Sequence, residues 1–303
     1  MRRFAGAPRL EPVGFVPASP ADPAFPRVGL IGLGLIGGSI ALRTRQCFPE
    51  TVVIGLDRPD RTDAAERRGA IHQAASSLAD LEAVDLVVLA VPPPAMLEIV
   101  PQLTRLSAAT VVTDVASTKR QVVAAARAAG LPAFVGGHPM AGSERGGIEH
   151  ARADLFTGRP WLLVEGTGSP AVNARVEQFI RVLGAEPQWI DAEGHDRRVA
   201  YVSHLPQLVA VALMNAAADG VGHDGLRLAG PAFRDMTRLA SSPPELWQGI
   251  VPPNADFVAE ALGRFLRNLP VGRDLSEDGW VREAFDRAGA ARARWRGDDT
   301  SGS

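Results

Sequence analysis

The sequence predicts an α/β chain in two parts, a doubly wound parallel sheet followed by an all-α C-terminal part. Three observations predict it. Short Val/Leu/Ile runs alternate with Ala/Arg-rich stretches of helical spacing through the first half. A glycine-rich turn follows the first of these runs. After about Asp191 the strand-like runs stop and helical patterns take over. At 303 residues, the chain has room for two domains of about 150 residues each.

Residues 1–26 read as a disordered tail broken by prolines from Pro8 to Pro26, and Arg2 and Arg3 precede no continuous apolar segment, so no secretory signal is expected. Strands are predicted at 27–33, 51–57, 86–91, 110–114, 133–136 and 161–165. Each is short and apolar almost throughout, as strands covered on both faces should be. The stretches between them are long enough for crossover helices, which gives βαβ units and a parallel sheet. A helix at 170–184 and a strand near 188–190 complete a first domain, residues 27–191. Residues 192–290 form a helical domain, with Val199, Val202, Leu205, Leu208, Val209 and Ala212 recurring at spacings of helical type. A second helical region, 246–268, is interrupted by Pro252 and Pro253. So small a helical unit has a modest core, and burying the remainder against a second copy predicts a homodimer through this half. Residues 291–303 read as a flexible tail.

Composition narrows the function. Hydrophobic residues at 46% and charged residues at 22% describe a globular chain, not a disordered one. A net charge of −2 carries no basic excess for tracking phosphates, so no nucleic-acid partner is expected. Cys47 is the sole cysteine, which rules out an internal disulfide and a cysteine-built metal site and fits a reducing, cytoplasmic compartment. No run of about 18 apolar residues occurs, so no membrane span is expected.

The strongest local pattern is Gly32-Leu33-Gly34-Leu35-Ile36-Gly37, directly after the first strand and opening a helix. In a dinucleotide fingerprint Gly32 permits the tight turn, Gly34 lets the pyrophosphate approach the backbone, and Gly37 allows close helix–strand packing. The helix N-terminus at Leu35 and Ile36 supplies N–H donors. The second strand ends at Asp57, where a carboxylate accepts ribose hydroxyls and repels a 2′-phosphate, so NAD is favoured over NADP. Arg58 beside it keeps NADP open. The pattern marks a Rossmann-type sheet, although a glycine turn that only packs a helix is the alternative. The strand ending in Val91 and Pro92 turns away at the same carboxyl edge.

Two further strand exits carry polar clusters. One is Asp114-Val115-Ala116-Ser117-Thr118-Lys119; the other is Gly136-Gly137-His138-Pro139-Met140-Ala141-Gly142-Ser143-Glu144. Ser117 is a helix N-cap, a catalytic group, or both. His138 is a turn histidine or a base, and its glycine surroundings favour the base. Pro206 removes a helical hydrogen bond and predicts a kink that aims His204 into a cleft, with simple packing as the alternative. Arg234 and Arg238, four apart, share a helix face, to grip a substrate anion or merely to meet solvent.

Together GLGLIGGS, the DVAS stretch with Lys119, GGHPMAGSE, Ser203-His204-Leu205-Pro206 and Phe233-Arg234-Asp235-Met236-Thr237-Arg238 resemble the prephenate/arogenate dehydrogenase family of tyrosine biosynthesis, over roughly residues 27–285. The resemblance implies an NAD-dependent oxidative decarboxylation. Hydride leaves the ring carbon bearing the hydroxyl, the ring carboxylate leaves as CO₂, and the ring becomes aromatic. It implies that His138 draws off the hydroxyl proton, that Ser117 helps hold that hydroxyl, and that His204 lies in the substrate pocket. A bidentate guanidinium suits the side-chain carboxylate that stays in the product, and Arg238 matches the family's binding arginine better than Arg234. Aromatisation drives the reaction, so no metal is expected. Nor is an appended chorismate mutase or ACT domain. Prephenate and arogenate, which differ by keto against amino, are both open. Rival readings are a β-hydroxyacid or imino-acid reductase, disfavoured because no lysine occurs from Gly194 onward, and a non-catalytic NAD-sensing regulator.

Overall fold

In the computed structural model, residues 24–142, 145–270, 272 and 278–297 are described. The predicted tail over residues 1–23, Ser143 and Glu144 of the second cluster, and residues 298–303 lie outside them. The chain divides into two compact units, one ending at Asn254 and the other beginning at Ala255.

The first unit is organised by an eight-stranded sheet. Its strands are β1 (Arg27–Ile31), β2 (Val52–Leu56), β3 (Gln73–Ala75), β4 (Leu86–Leu89), β5 (Val111–Asp114), β6 (Phe134–Pro139), β7 (Pro160–Glu165) and β8 (Glu186–Trp189). They lie in the order β3-β2-β1-β4-β5-β6-β7-β8. The chain winds outward from β1 to β3, then returns to β4 on the other side of β1. That reversal is the topological switch point, and ligands of such sheets bind outside the strand ends there.

Alternation along each strand separates two cores. Leu86 and Val88 of β4 join Val28 and Leu30 in one cluster. Val87 and Leu89 join Ile31, Val112 and Phe134 in the other. Helices α1 (Leu35–Cys47), α2 (Pro59–Arg67), α3 (Pro93–Ile99), α4 (Arg120–Ala128) and α5 (Pro170–Val182) accompany the strands. Ser169 caps α5, its Oγ accepting from Val172 N at 3.3 Å, with Pro170 preset in the first turn.

The sheet departs from the parallel prediction at one place: β7 runs antiparallel to β6, and β8 is parallel to β7. Among the described residues between β6 and β7, only a short 3₁₀ turn, Ile148–His150, is helical. Without a crossover helix the chain returns in the opposite direction. Strand β3 was not predicted, because three edge residues carry no apolar run.

The remainder of the first unit is helical: α6 (Ala192–Val199), α7 (Leu205–Leu226), α8 (Pro231–Thr237) and α9 (Pro244–Gln248). Asp191 caps α6 by accepting Gly194 N at 2.7 Å. Between α6 and α7 lies a π-helical turn, Ala200–His204, where Leu205 N bonds Ala200 O. In place of the kink expected at Pro206 there is this widened turn, with helical backbone at His204 and Leu205, and the non-helical residue within α7 is Gly222, at φ 62°. Proline has no N–H to offer, so the widened turn precedes it, and His204 ends that turn fully buried. The stretch Ala192–Leu226 is long and apolar enough, by length and composition, to cross a bilayer. Polar residues interrupt every apolar run within it, so the sequence did not flag it. Asp196 and His195 on the same stretch are buried in hydrogen bonds.

The second unit comprises α10 (Ala255–Asn268) and α11 (Asp278–Arg296). The latter continues to Arg296, past Ala291 where the tail was expected to begin; its Ala/Arg composition is strongly helix-forming despite its charge.

Candidate active site

At the switch point the backbone itself makes a cradle. Gly32 has φ of +102°, and a Cβ there would meet Ala90 O at 2.4 Å. A Cβ on Gly37 would meet Gly32 O at 2.0 Å. Both glycines are therefore required by neighbouring backbone. Gly34 is different: a Cβ on it would meet nothing within 4 Å. It is also the N-cap of α1, with no side-chain cap and no acidic residue in the first turn. The first amides of α1, including those of Leu35 and Ile36, thus lack intrahelical acceptors. An open backbone position beside a helix N-terminus suits a pyrophosphate.

Asp57 ties the turn together. Its Oδ2 accepts from Leu33 N and its Oδ1 from Arg58 N, each at 2.7 Å. Each oxygen keeps a second lone pair for a ribose hydroxyl. Arg58 faces Asp60 at 3.5 Å in an exposed pair. Val91 and Pro92 follow β4, with Pro92 as N-cap of α3. The preceding Ala90 is the residue packed against Gly32 and Gly37, so the β4 exit forms one wall of the turn.

The exits of β5 and β6 are clasped to each other. Lys119, the sole lysine of the chain, is fully buried and pairs with Asp114. Its Nζ also donates to Gly137 O at 2.6 Å, while Asp114 accepts from Gly137 N at 3.0 Å and Ala116 N at 2.9 Å. Burial pulls the Lys119 pKa down and Asp114 opposes that pull. Strand β6 pairs with β5 at Val112 and Thr113 and runs on past its end. That extension carries His138 to the carboxyl edge.

His138 keeps only 7% of its surface exposed. Its Nδ1 lies 2.9 Å from His195 Nε2, and His195 Nδ1 lies 2.8 Å from Asp196 Oδ1. Asp196 is a hub. Its Oδ1 also accepts from Lys119 N at 2.7 Å, and its Oδ2 accepts from Arg120 N at 3.0 Å and Arg120 Nε at 3.1 Å. Asn254 Nδ2 donates to Asp196 O at 2.7 Å and faces His204 Nδ1 at 3.2 Å, while Asn254 Oδ1 accepts from Arg120 at 3.1 Å.

These contacts set the charges. Burial would raise the Asp196 pKa, but hydrogen bonds from His195 and the Arg120 and Lys119 amides outweigh it, so the carboxylate is ionised. Burial, then the charges of His195, Lys119 and His204, hold His138 well below the ordinary histidine value. Burial lowers His195 as well, against the pull of Asp196, and lowers His204 to about 4. All three rings are neutral near pH 7. Because the Asn254 amide donates to Nδ1, His204 carries its proton on Nε2. That Nε2 is buried with no partner among the described residues, as is Nε1 of Trp247, whose ring meets His204 edge-on at 5.9 Å. Two buried donors without acceptors make a place for ligand oxygens.

The other predicted residues are arranged differently. Ser117 is half-buried in the β5 exit, and the N-cap of α4 is Lys119 instead. Arg234 and Arg238 are both exposed and do not share one α-helix: α8 ends at Thr237, and Arg238 opens a 3₁₀ turn, Arg238–Ser241. Gln207, three residues past His204, donates to Leu239 O at 2.8 Å and so holds that turn against the start of α7. His195, Asp196, Asn254 and Trp247 were not singled out from the sequence, and Lys119 was named there only as part of its motif, with no role. An adjacent His–Asp pair in the first turns of the helical half was the one available signal. No described group of three His, Cys, Asp or Glu side chains is arranged to hold a metal ion.

Two family models match the chain. "Prephenate dehydrogenase, nucleotide-binding domain" covers residues 40–186, and "Prephenate dehydrogenase, dimerization domain" covers 191–277. A prephenate dehydrogenase of Lactococcus lactis subsp. cremoris is 31% identical over 80% of this chain and 69% of its own length. A cyclohexadienyl dehydrogenase of Zymomonas mobilis is 30% identical over 88% of this chain and 95% of its own. The crystal structure of Aquifex aeolicus prephenate dehydrogenase in complex with hydroxyphenyl propionate and NAD⁺ superposes with a TM-score of 0.82 at 28% identity, covering 90% of this chain and 98% of that one. With both of its domain models matched in order over most of its length, this chain belongs to the prephenate dehydrogenase family.

Proposed function

We infer that this chain is an NAD-dependent prephenate dehydrogenase, converting prephenate to 4-hydroxyphenylpyruvate and CO₂. The observation that carries the reading is the placement of a neutral, buried imidazole, His138, on the same sheet edge as the glycine cradle. When bound there, NAD⁺ supplies the hydride acceptor. The cradle residues Gly32, Gly34, Leu35, Ile36 and Gly37 hold its pyrophosphate, Asp57 its ribose, and Val91 and Pro92 flank it. Asp57 and the engagement of Arg58 by Asp60 favour NAD over NADP.

Positive charge builds on the ring carbon as hydride leaves. His138 takes the hydroxyl proton at that moment and cancels the charge. Ser117 orients the hydroxyl. His204 binds substrate oxygen as an Nε2–H donor; with Nδ1 engaged by Asn254 it is not the base. Arg238, at the His204 end of α7, takes the side-chain carboxylate, with Arg234 in support. The functional division falls near Asp191: residues 27–191 bind the dinucleotide and 192–290 the substrate.

The Zymomonas relative, a cyclohexadienyl dehydrogenase, supports a second reading in which arogenate is also oxidised. Measuring NADH formation with each substrate and with each nicotinamide cofactor separates them. NADH from neither substrate, with NAD⁺ still bound, would leave only an NAD-sensing role. Val202, Val221, Leu228, Met236 and Leu246 are exposed apolar side chains within the dimerization-domain match, and they support a homodimer through this half rather than a membrane contact. A cytoplasmic location fits the single unpaired cysteine.

A further inference from the structure

We propose that Asp196 and His195 are positioning residues that impose on His138 the tautomer with a bare Nε2, the only neutral form able to receive the substrate proton. The proposal rests on the reading of His138 as the base. Each proton position forces the next. Both oxygens of the ionised Asp196 accept hydrogen bonds, so the group facing Oδ1 from His195 is Nδ1–H. Neutral His195 then has a bare Nε2. That nitrogen can only accept, so the His138 atom facing it at 2.9 Å is Nδ1–H. His138 Nε2 is left without a proton, and no described residue engages it. As His138 becomes an imidazolium, its Nδ1–H strengthens toward His195, whose ring Asp196 polarises.

Among the described residues, few charged or titratable groups face this relay. From the β5 exit come Lys119, compensated by Asp114, and Arg120, bound to Asp196. From the π turn comes His204, whose Nδ1 faces Asn254. Among the described residues of this relay, Asp196 is the carboxylate in hydrogen-bond contact with an imidazole. Its role is therefore reversible by one isosteric change. In Asp196→Asn the amide NH₂ cannot sit on the Oδ2 side, where Arg120 N and Nε are both fixed donors. On the Oδ1 side only Lys119 N is fixed, and His195 can adapt by moving its proton to Nε2. His138 must then accept at Nδ1 and carry its own proton on Nε2, which blocks the base.

The test is ¹⁵N NMR of histidine-labelled full-length protein saturated with NAD⁺, without substrate. The expected result is Nδ1–H for His138 and His195, identified by the signals lost in His138→Asn and His195→Gln. In Asp196→Asn both become Nε2–H, and kcat falls by about 10²–10⁴ while KM and NAD⁺ affinity hold. If Asp196→Asn does not fold, the pair His195→Gln and His195→Leu decides. The glutamine amide offers an acceptor to His138 and a donor to Asp196, so it turns over at least about tenfold faster than the leucine variant. Nε2–H on His138 in the native protein, or equal turnover of the two variants, overturns the proposal. Nδ1–H on His138 supports it even if prephenate gives no NADH, in which case the substrate reading alone fails.

Discussion

The turn at residues 32–37 is made of backbone and is held by the strand exits on either side of it: Asp57 after β2 reaches Leu33, and Ala90 after β4 meets Gly32. The cluster around His138 is made of side chains drawn together from four stretches. Its links span 57 residues from His138 to His195, 77 from Lys119 to Asp196 and 134 from Arg120 to Asn254. At Gly32 and Gly37 the cradle tolerates no added atom, and what it asks of its neighbours is steric. The long-range cluster depends on every proton being on the right nitrogen. The first fails by collision, the second by chemistry.

Substitutions sharpen this contrast. The largest effect is expected in the cluster. His138→Asn removes the base and costs about 10²–10⁴ in kcat, with NAD⁺ affinity retained in a binding titration. Unchanged turnover would remove His138 from its role. Next, Arg238→Ala raises KM for prephenate by about 10- to 100-fold, the worth of one charge-assisted hydrogen-bonding group, and leaves kcat less affected. An unaltered KM would move carboxylate binding to Arg234 or another donor.

The cradle should divide within itself. Gly32→Ala and Gly37→Ala drive a Cβ into backbone and destabilise the fold by about 1–3 kcal/mol in denaturant titrations. Gly34→Ala meets open space, so stability stays within about 0.5 kcal/mol while the Kd for NAD⁺ rises. Equal stability losses at all three positions would mean that Gly34 is structural. The last effect is in pH dependence. His204 titrates near its ordinary value when unfolded and at about 4 when folded. Between those values the unfolded chain binds the extra proton, so stability is complete above about pH 6.5 and falls as pH drops toward 4, by up to about 1.4 kcal/mol per pH unit for this ring. His138 and His195, also lowered, add slope of the same sign. Stability rising on acidification would contradict buried neutral histidines.

The same contrast explains what was legible in the sequence. The glycine turn, its strand and Asp57 announce themselves because backbone geometry limits each position to few residue types. The apolar strands were readable for the same local reason, whereas β3 and the reversed β7 depended on partners across the sheet. His138 was readable from its glycine-rich exit. His195, by contrast, sits in an ordinary amphipathic pattern, and nothing nearby in sequence shows that its Nε2 meets a strand residue. Asn254 lies among prolines that read as a helix interruption, and its grip on His204 and Asp196 exists only after folding. Arg234 and Arg238 looked like one helix face because their spacing is right; the helix simply ends between them.

The most direct measurement is NADH formation on mixing the protein with NAD⁺ and prephenate, run beside His138→Asn. NADH appearing with release of CO₂ in the native protein, and lost in the variant while NAD⁺ still binds, is the predicted result. Native protein that binds NAD⁺ but yields no NADH from prephenate or arogenate, or a variant that turns over as fast as the native chain, would contradict the account.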